Sequence, residues 1–212
     1  MNAIKALALG NYTGAKYHPF TDVDKEIEAI FAGKIQVTST DDYSLLCKDV
    51  LQDYNLFISY TEFMDEPLSA ESTASLLSFV AKGGGILAIH NGISLQRNQE
   101  LASMLGARFT GHPPFRTLSV HINKDAINPI VNELEDFKID DEPYLFEMDS
   151  LLDTTVLAHY EHKGEIKPAA WAHSFGLGRV VYLMPGHQLS SFHVDAYREM
   201  ILQGGLWAAK LL

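Results

Sequence analysis

Short apolar runs alternate with amphipathic stretches through the first half of the chain. Ala6-Leu7-Ala8-Leu9, Leu56-Phe57-Ile58-Ser59-Tyr60 and Ile86-Leu87-Ala88-Ile89 lie between turn signals and read as buried strands. Lys34 to Thr38 alternates and reads as another. Between them, Val23, Ile27, Ile30 and Phe31 fall on one helical face, with Thr21 or Asp22 as the cap and Gly33 as the left-handed stop. Residues 42–53 predict a weaker helix containing Cys47. Ser69 caps a clear helix that Gly83 stops, and Ser94 to Leu105 predicts one more. Strand and helix thus alternate four times. That order predicts an α/β fold, a flavodoxin-like doubly wound, mostly parallel sheet with helices on both faces.

After Gly106 the pattern changes. Phe109 to Pro114 reads as a stiff, proline-bounded loop, and Thr117 to Ile122 as a strand with one polar face. Residues 128–135 predict a short helix with Pro129 in its first turn, and residues 140–144 a charged loop. Thr154 to Tyr160 and Ala169 to Ser174 read as strands around a hairpin turn at His162-Lys163-Gly164-Glu165. Arg179 to Met184 is a further strand, and Tyr197 to Leu211 a last helix. Its Gly204-Gly205 pair implies close packing against the sheet, because each glycine costs ~1 kcal/mol in a helix interior.

The 212 residues carry no linker or repeat and predict a single domain, 1–212. A net charge of −11 without a Lys/Arg cluster argues against nucleic-acid and anionic-membrane partners. One cysteine excludes a disulfide framework and a Cys-rich zinc site. No apolar run approaches the ~18 residues of a membrane span, and no signal-peptide layout opens the chain, so a cytoplasmic location is expected. A homo-oligomer is expected from base rates alone.

In open α/β sheets, ligands bind at the carboxyl ends of strands. His90 and Asn91 end one strand and His187 follows another. His18 lies in the first loop, and His112 in the proline-bounded one. These four histidines are able to converge on one rim, as metal ligands or as acid–base groups, or to remain scattered on the surface. Glu142 could complete a metal set or act as a general base. Without a His-Glu-x-x-His pattern or a cysteine pair, a divalent metal such as zinc is allowed rather than required. Tyr144 and Trp171 offer apolar faces for a sugar ring, or equally for the core. Arg179 begins its strand at the end away from the ligand crevice and reads as a surface ion pair. Neither a Gly-x-Ser-x-Gly elbow nor a phosphate-binding glycine loop is present.

Several segments, in order, resemble the trehalose-utilisation (ThuA-like) family. They are Gly83-Gly84-Gly85 with His90, Gly111-His112-Pro113, Asp141-Glu142 with Tyr144, Pro168-Ala169-Ala170-Trp171, Phe175 to Tyr182, Gly186-His187 and Gly205-Leu206-Trp207-Ala208. His18 fits as well. Asn128 stands where the family usually has histidine before Pro-Ile, so that histidine's role does not transfer; Phe175 and Leu177 replace the usual Tyr and Lys. The resemblance implies a fold like that of class I glutamine amidotransferases. It also implies an activity on trehalose-like disaccharides or their 3-keto derivatives. Lyase, hydrolase and isomerase outcomes stay open, with His90, His112, Glu142 and His187 in the chemistry and His18, Asn91, Tyr144 and Trp171 holding a carbohydrate. Amidotransferase chemistry is not expected, because the nucleophile's turn holds His90-Asn91-Gly92 and Cys47 lies far away. A non-catalytic sugar-binding module on the same scaffold is the alternative, and a partner-docking subunit a third.

Overall fold

The computed structural model describes residues 3–46, 50–63 and 66–212, and Cys47 with its surroundings lies outside them. The first half contains β1 (Lys5–Gly10), α1 (Val23–Phe31), β2 (Gln36–Thr40), β3 (Leu56–Tyr60), α2 (Ala70–Ala81), β4 (Gly85–Ile89) and α3 (Gln99–Leu105). The second half contains β5 (Ala107–Gly111), β6 (Arg116–Ile122), β7 (Phe137–Asp141), β8 (Leu145–Met148), β9 (Thr155–His162), β10 (Glu165–Phe175), β11 (Gly178–Leu183) and α4 (Asp195–Ala208).

Nine strands form one sheet in the order β2-β1-β3-β4-β11-β10-β9-β6-β7, and β5 pairs with β8 apart from it. From β2 to β11 every pairing is parallel. From β11 to β7 every pairing is antiparallel. The sheet is therefore mixed rather than mostly parallel. The reason is local: β9, β10 and β11 follow one another through tight turns, and a tight turn makes an antiparallel pair. At the β9–β10 turn Lys163 and Gly164 both take positive φ, at 54° and 78°.

Helices cover both faces. The Trp171 indole on β10 donates to Leu105 O at the end of α3, and its ring lies 4.3 Å from that of Tyr182 on β11. Gly204 of α4 instead approaches Val181 and Leu87, whose side chains alternate to the opposite face. A Cβ at Gly205 would lie 2.3 Å from the Phe31 ring of α1, so the glycine pair lets α4 close on α1 as well as on the sheet. Ser69 accepts the Ser72 amide at 3.1 Å and caps α2 as expected.

Other expectations change. Asp22 precedes α1 in a left-handed conformation and makes no side-chain cap. The helix expected over 42–53 is two short turns, Tyr43–Leu46 and Leu51–Asp53, on either side of undescribed residues. That expected from Ser94 is a helical run at His90–Arg97 followed by α3. The stretch expected as a stiff loop opens with β5, which pairs with β8. Residues 128–135 hold only the turn Pro129–Val131, capped by Asn128. Asp140-Asp141 ends β7 rather than floating in a loop, because Asp140 and Asp141 pair with Thr117 and Arg116.

Candidate functional site

Strand direction explains how distant residues meet. The carboxyl ends of β1, β3, β4 and β11 share one rim because these strands are parallel. Four antiparallel steps separate β11 from β7, so β7 points the same way and delivers Asp141 and Glu142 to that rim. The strand β6 runs oppositely, which places its start, and His112 just before it, there too. Two backbone features tighten the rim. His90 takes a φ of 44°, turning the chain sharply off β4. Gly186, at φ 135°, passes so near that a Cβ would lie 2.9 Å from Ile89 Cγ2.

One ligand atom from each of His18, His90, Glu142 and His187 lies within 4.8 Å of the others. His18 Nε2 is 3.1 Å from His187 Nδ1, and His187 Nδ1 is 3.6 Å from Glu142 Oε2. His90 Nδ1 donates to Met184 O at 2.7 Å, which leaves its Nε2 as a lone pair, buried and without a partner among the described residues. His112 Nδ1 lies 2.9 Å from Glu142 Oε1 at the outer edge, with its side chain 46% exposed. The Tyr144 ring packs between His90, at 4.1 Å, and Phe109, at 4.4 Å.

Two carboxylates hold this arrangement. Glu62 lies two residues past β3 and accepts the amides of Lys16 at 2.7 Å and His18 at 2.8 Å, as well as His18 Nδ1–H at 2.8 Å. It gathers the first loop and fixes the ring so that Nε2 faces the cluster. Asp141 accepts the amides of Gly186 at 2.8 Å and Glu142 at 2.8 Å, and the Ser191 hydroxyl at 2.6 Å. It ties the end of β7 to the segment carrying His187.

Burial dominates the electrostatics. It pushes His90 well below the ordinary imidazole value, helped by the neighbouring His18. It also lowers His18 and His187, against the pull of Glu62 on the first and Glu142 on the second. The three rings are thus neutral near pH 7, the form that donates a lone pair to a metal. Burial would raise Glu62, but the Lys16 amide and His18 outweigh it and hold the carboxyl below its usual range. Burial pushes Asp141 up to about 6 despite its donors.

A divalent cation fits these residues. Three imidazoles form a zinc-type donor set with the Glu142 carboxylate beside them, and the lone His90 nitrogen is oriented by a hydrogen bond on its other nitrogen. Of the residues singled out in the sequence, His18, His90, His112, Glu142, His187 and Tyr144 are brought together. Asn91 lies beside them, its amide donating to Tyr60 O and Thr61 O. Trp171 is not brought to the site. It is fully buried under α3, where its indole N–H is satisfied. Arg179 donates to Trp207 O and Leu212 O and stacks on Trp207, away from the rim. Glu62 and Asp141 were missed as supports. Glu62 lies just past a strand and Asp141 ends one, which was the available signal, but their partners are amides 44 and 45 residues away and a hydroxyl 50 away.

A cavity of about 240 Å³ adjoins the cluster, reaching from His18 and Glu62 past Phe63, Ile93 and Ser94 to Phe109 and Tyr144. Wider openings lie elsewhere, one of about 540 Å³ along α2, and none of their lining residues belongs to the cluster. Among the described residues no helix is long and apolar enough to cross a membrane.

The fold has solved relatives. A ThuA-like protein of Bacteroides uniformis superposes with a TM-score of 0.79 at 18% identity, covering 98% of this chain and 93% of that one. One of Parabacteroides merdae gives 0.81 at 15%, covering 98% and 90%. A β-galactosidase of Bacillus circulans gives 0.62 at 14%, covering 97% of this chain but 30% of the galactosidase. At these identities the likeness is one of fold. No curated protein sequence matches the chain. The profile of the ThuA family, described as trehalose utilisation, matches residues 5–208. With nearly the whole chain covered, from β1 to the end of α4, the protein belongs to the ThuA family.

Proposed function

We propose that the protein is an enzyme of carbohydrate metabolism that acts on trehalose-like disaccharides or their 3-keto derivatives. It uses His/Glu acid–base chemistry at a site holding a divalent cation such as zinc. The observation that carries this reading is the cluster of three neutral imidazoles and Glu142, with one His90 nitrogen buried and unpartnered. His18, His90 and His187 would hold the cation, with Glu142 on its open side. When bound, the cation supplies Lewis-acid stabilisation of oxygen charge.

A 3-keto group acidifies the neighbouring C–H. Glu142 Oε2, on the cluster side, takes that proton. His112, 2.9 Å from the other oxygen and half exposed, passes it to water. Tyr144 closes the floor and excludes water from His90. The parallel strands in the order β2-β1-β3-β4-β11 support the flavodoxin-like, amidotransferase-like reading of the scaffold. A cytoplasmic setting is part of the proposal, and a structural neighbour from Salmonella typhimurium is titled a cytoplasmic protein.

The test is turnover of trehalose and 3-keto-trehalose with and without chelator. Conversion is expected in the wild type, lost in His90→Ala and on chelation, and restored by zinc. Sugar binding without conversion overturns the catalytic reading in favour of a binding module.

A further inference from the structure

The cluster has two unlike neighbourhoods. On one side is the cavity of about 240 Å³, walled by Phe63, Ile93, Phe109 and Tyr144. Asn91 also lines it, and its amide nitrogen donates to Tyr60 O at 2.9 Å and Thr61 O at 3.1 Å. These two carbonyls fix the amide's orientation, since a flipped group would set oxygen against oxygen. Asn91 Oδ1 is left buried with no partner among the described residues. A buried acceptor is costly until a donor meets it, and a ligand hydroxyl is the matching donor. Aromatic walls suit the C–H faces of a sugar ring. The volume falls below the ~300–1,000 Å³ of pockets for drug-sized ligands, so it takes one ring and not two.

Outside the cavity lining, two exposed rings border the cluster. Phe115 is 42% exposed with its ring centroid 5.8 Å from that of His187. Tyr17 is 51% exposed and 6.2 Å from His18. Two exposed aromatic rings therefore flank the polar cluster where core packing does not hold them.

We infer that the protein binds a disaccharide asymmetrically, an inference that rests on the carbohydrate reading above. One pyranose ring is enclosed in the cavity with a hydroxyl on Asn91 Oδ1. The second lies on Phe115 and Tyr17, and the linkage between them crosses the His–Glu cluster. Selectivity then differs between the rings. A changed substituent on the enclosed ring meets a wall, while one on the open ring meets water.

The test is calorimetric titration of the zinc-loaded protein with methyl α-D-glucopyranoside and with trehalose, each also as its 3-keto form. Ser94→Leu, which fills the cavity, is expected to weaken both the one-ring and two-ring ligands more than about tenfold. Phe63→Ala, which removes a half-buried wall, serves as a second cavity variant and weakens both as well. Phe115→Ala weakens the two-ring ligands roughly two- to tenfold and leaves the one-ring ligands within about twofold. Thermal melting and zinc affinity check that each variant is folded. Unchanged binding in both cavity variants overturns the enclosed subsite while leaving the carbohydrate reading intact. Equal weakening of both ligand classes by Phe115→Ala overturns the open one. If the wild type binds none of the four sugars, this inference and the carbohydrate reading fall together.

Discussion

The parallel and antiparallel halves of the sheet contribute to the site in different ways. The parallel half supplies His18, His90 and His187 from short connections at strand ends, and its two deepest rings are buried. The antiparallel half supplies Glu142, whose side chain is 15% exposed, and His112, at 46%. Burial lowers the first set and keeps it neutral. Within the second set only His112 faces water, since Glu142 is no more exposed than His187, at 15% against 19%. On the proposed function the contrast is a division of labour: the parallel half fixes lone pairs, while the antiparallel half carries the proton from Glu142 out to His112 at the solvent boundary.

The comparison breaks most visibly in the core of the antiparallel half. Trp171 joins β10 to α3 and touches no site residue, so Trp171→Ala should cost about 3–5 kcal/mol in urea denaturation. Sugar binding measured on the folded fraction should hardly change. A loss of binding with stability intact would restore Trp171 to the site. Next, His112→Ala should lower turnover about 100-fold or more while zinc affinity stays within about twofold. Parallel loss of both would erase the division between the halves.

A third test addresses the support of the parallel half. Glu62→Gln sets an amide NH₂ against amide donors of the first loop. Zinc affinity, read by competition with a chromophoric chelator, should fall about 10- to 100-fold. An unchanged affinity would mean that the first loop holds His18 without it.

The smallest effect concerns His173, buried on β10 with Nε2 bonded to Met104 O. Burial holds it below the ordinary 6.5. The unfolded chain therefore binds a proton there near pH 6.5 that the folded chain resists, and stability falls as pH drops through that value toward the folded one. His173→Phe should flatten this part of the acid limb, measured as denaturation midpoints between pH 7 and pH 5. An unaltered slope would assign the acid sensitivity to the rim histidines instead.

Much of the parallel half was legible because its strands are continuous apolar runs and its helices keep a 3.6-residue period. His90 and His187 were found by position alone, each following such a run. The antiparallel half was harder to read. Asp140-Asp141 looks like loop chemistry, yet a cross-strand ladder to Arg116 and Thr117 makes it strand, and no local pattern announces that ladder. The Phe109–Gly111 segment likewise becomes strand only through β8. The convergence of His112 and Glu142 with the other histidines depends on counting strand reversals, which needs the sheet order. Trp171 was ambiguous because an aromatic ring suits a sugar and a core equally well.

The position of β11 also has a consequence for how the chain reaches its native state. This strand is the last in sequence yet lies between β4 and β10 at the middle of the sheet. Until residues 178–183 insert, β4 presents an unpaired, wholly apolar edge and β10 has lost one of its two neighbours. Such a late, long-range closure is slow and leaves an aggregation-prone intermediate during synthesis. The same insertion brings His187 to His18, across 169 residues of chain. Completion of the sheet and assembly of the proposed cation site are therefore one kinetic event, and a cation added during refolding should trap the closed form without speeding the search that precedes it.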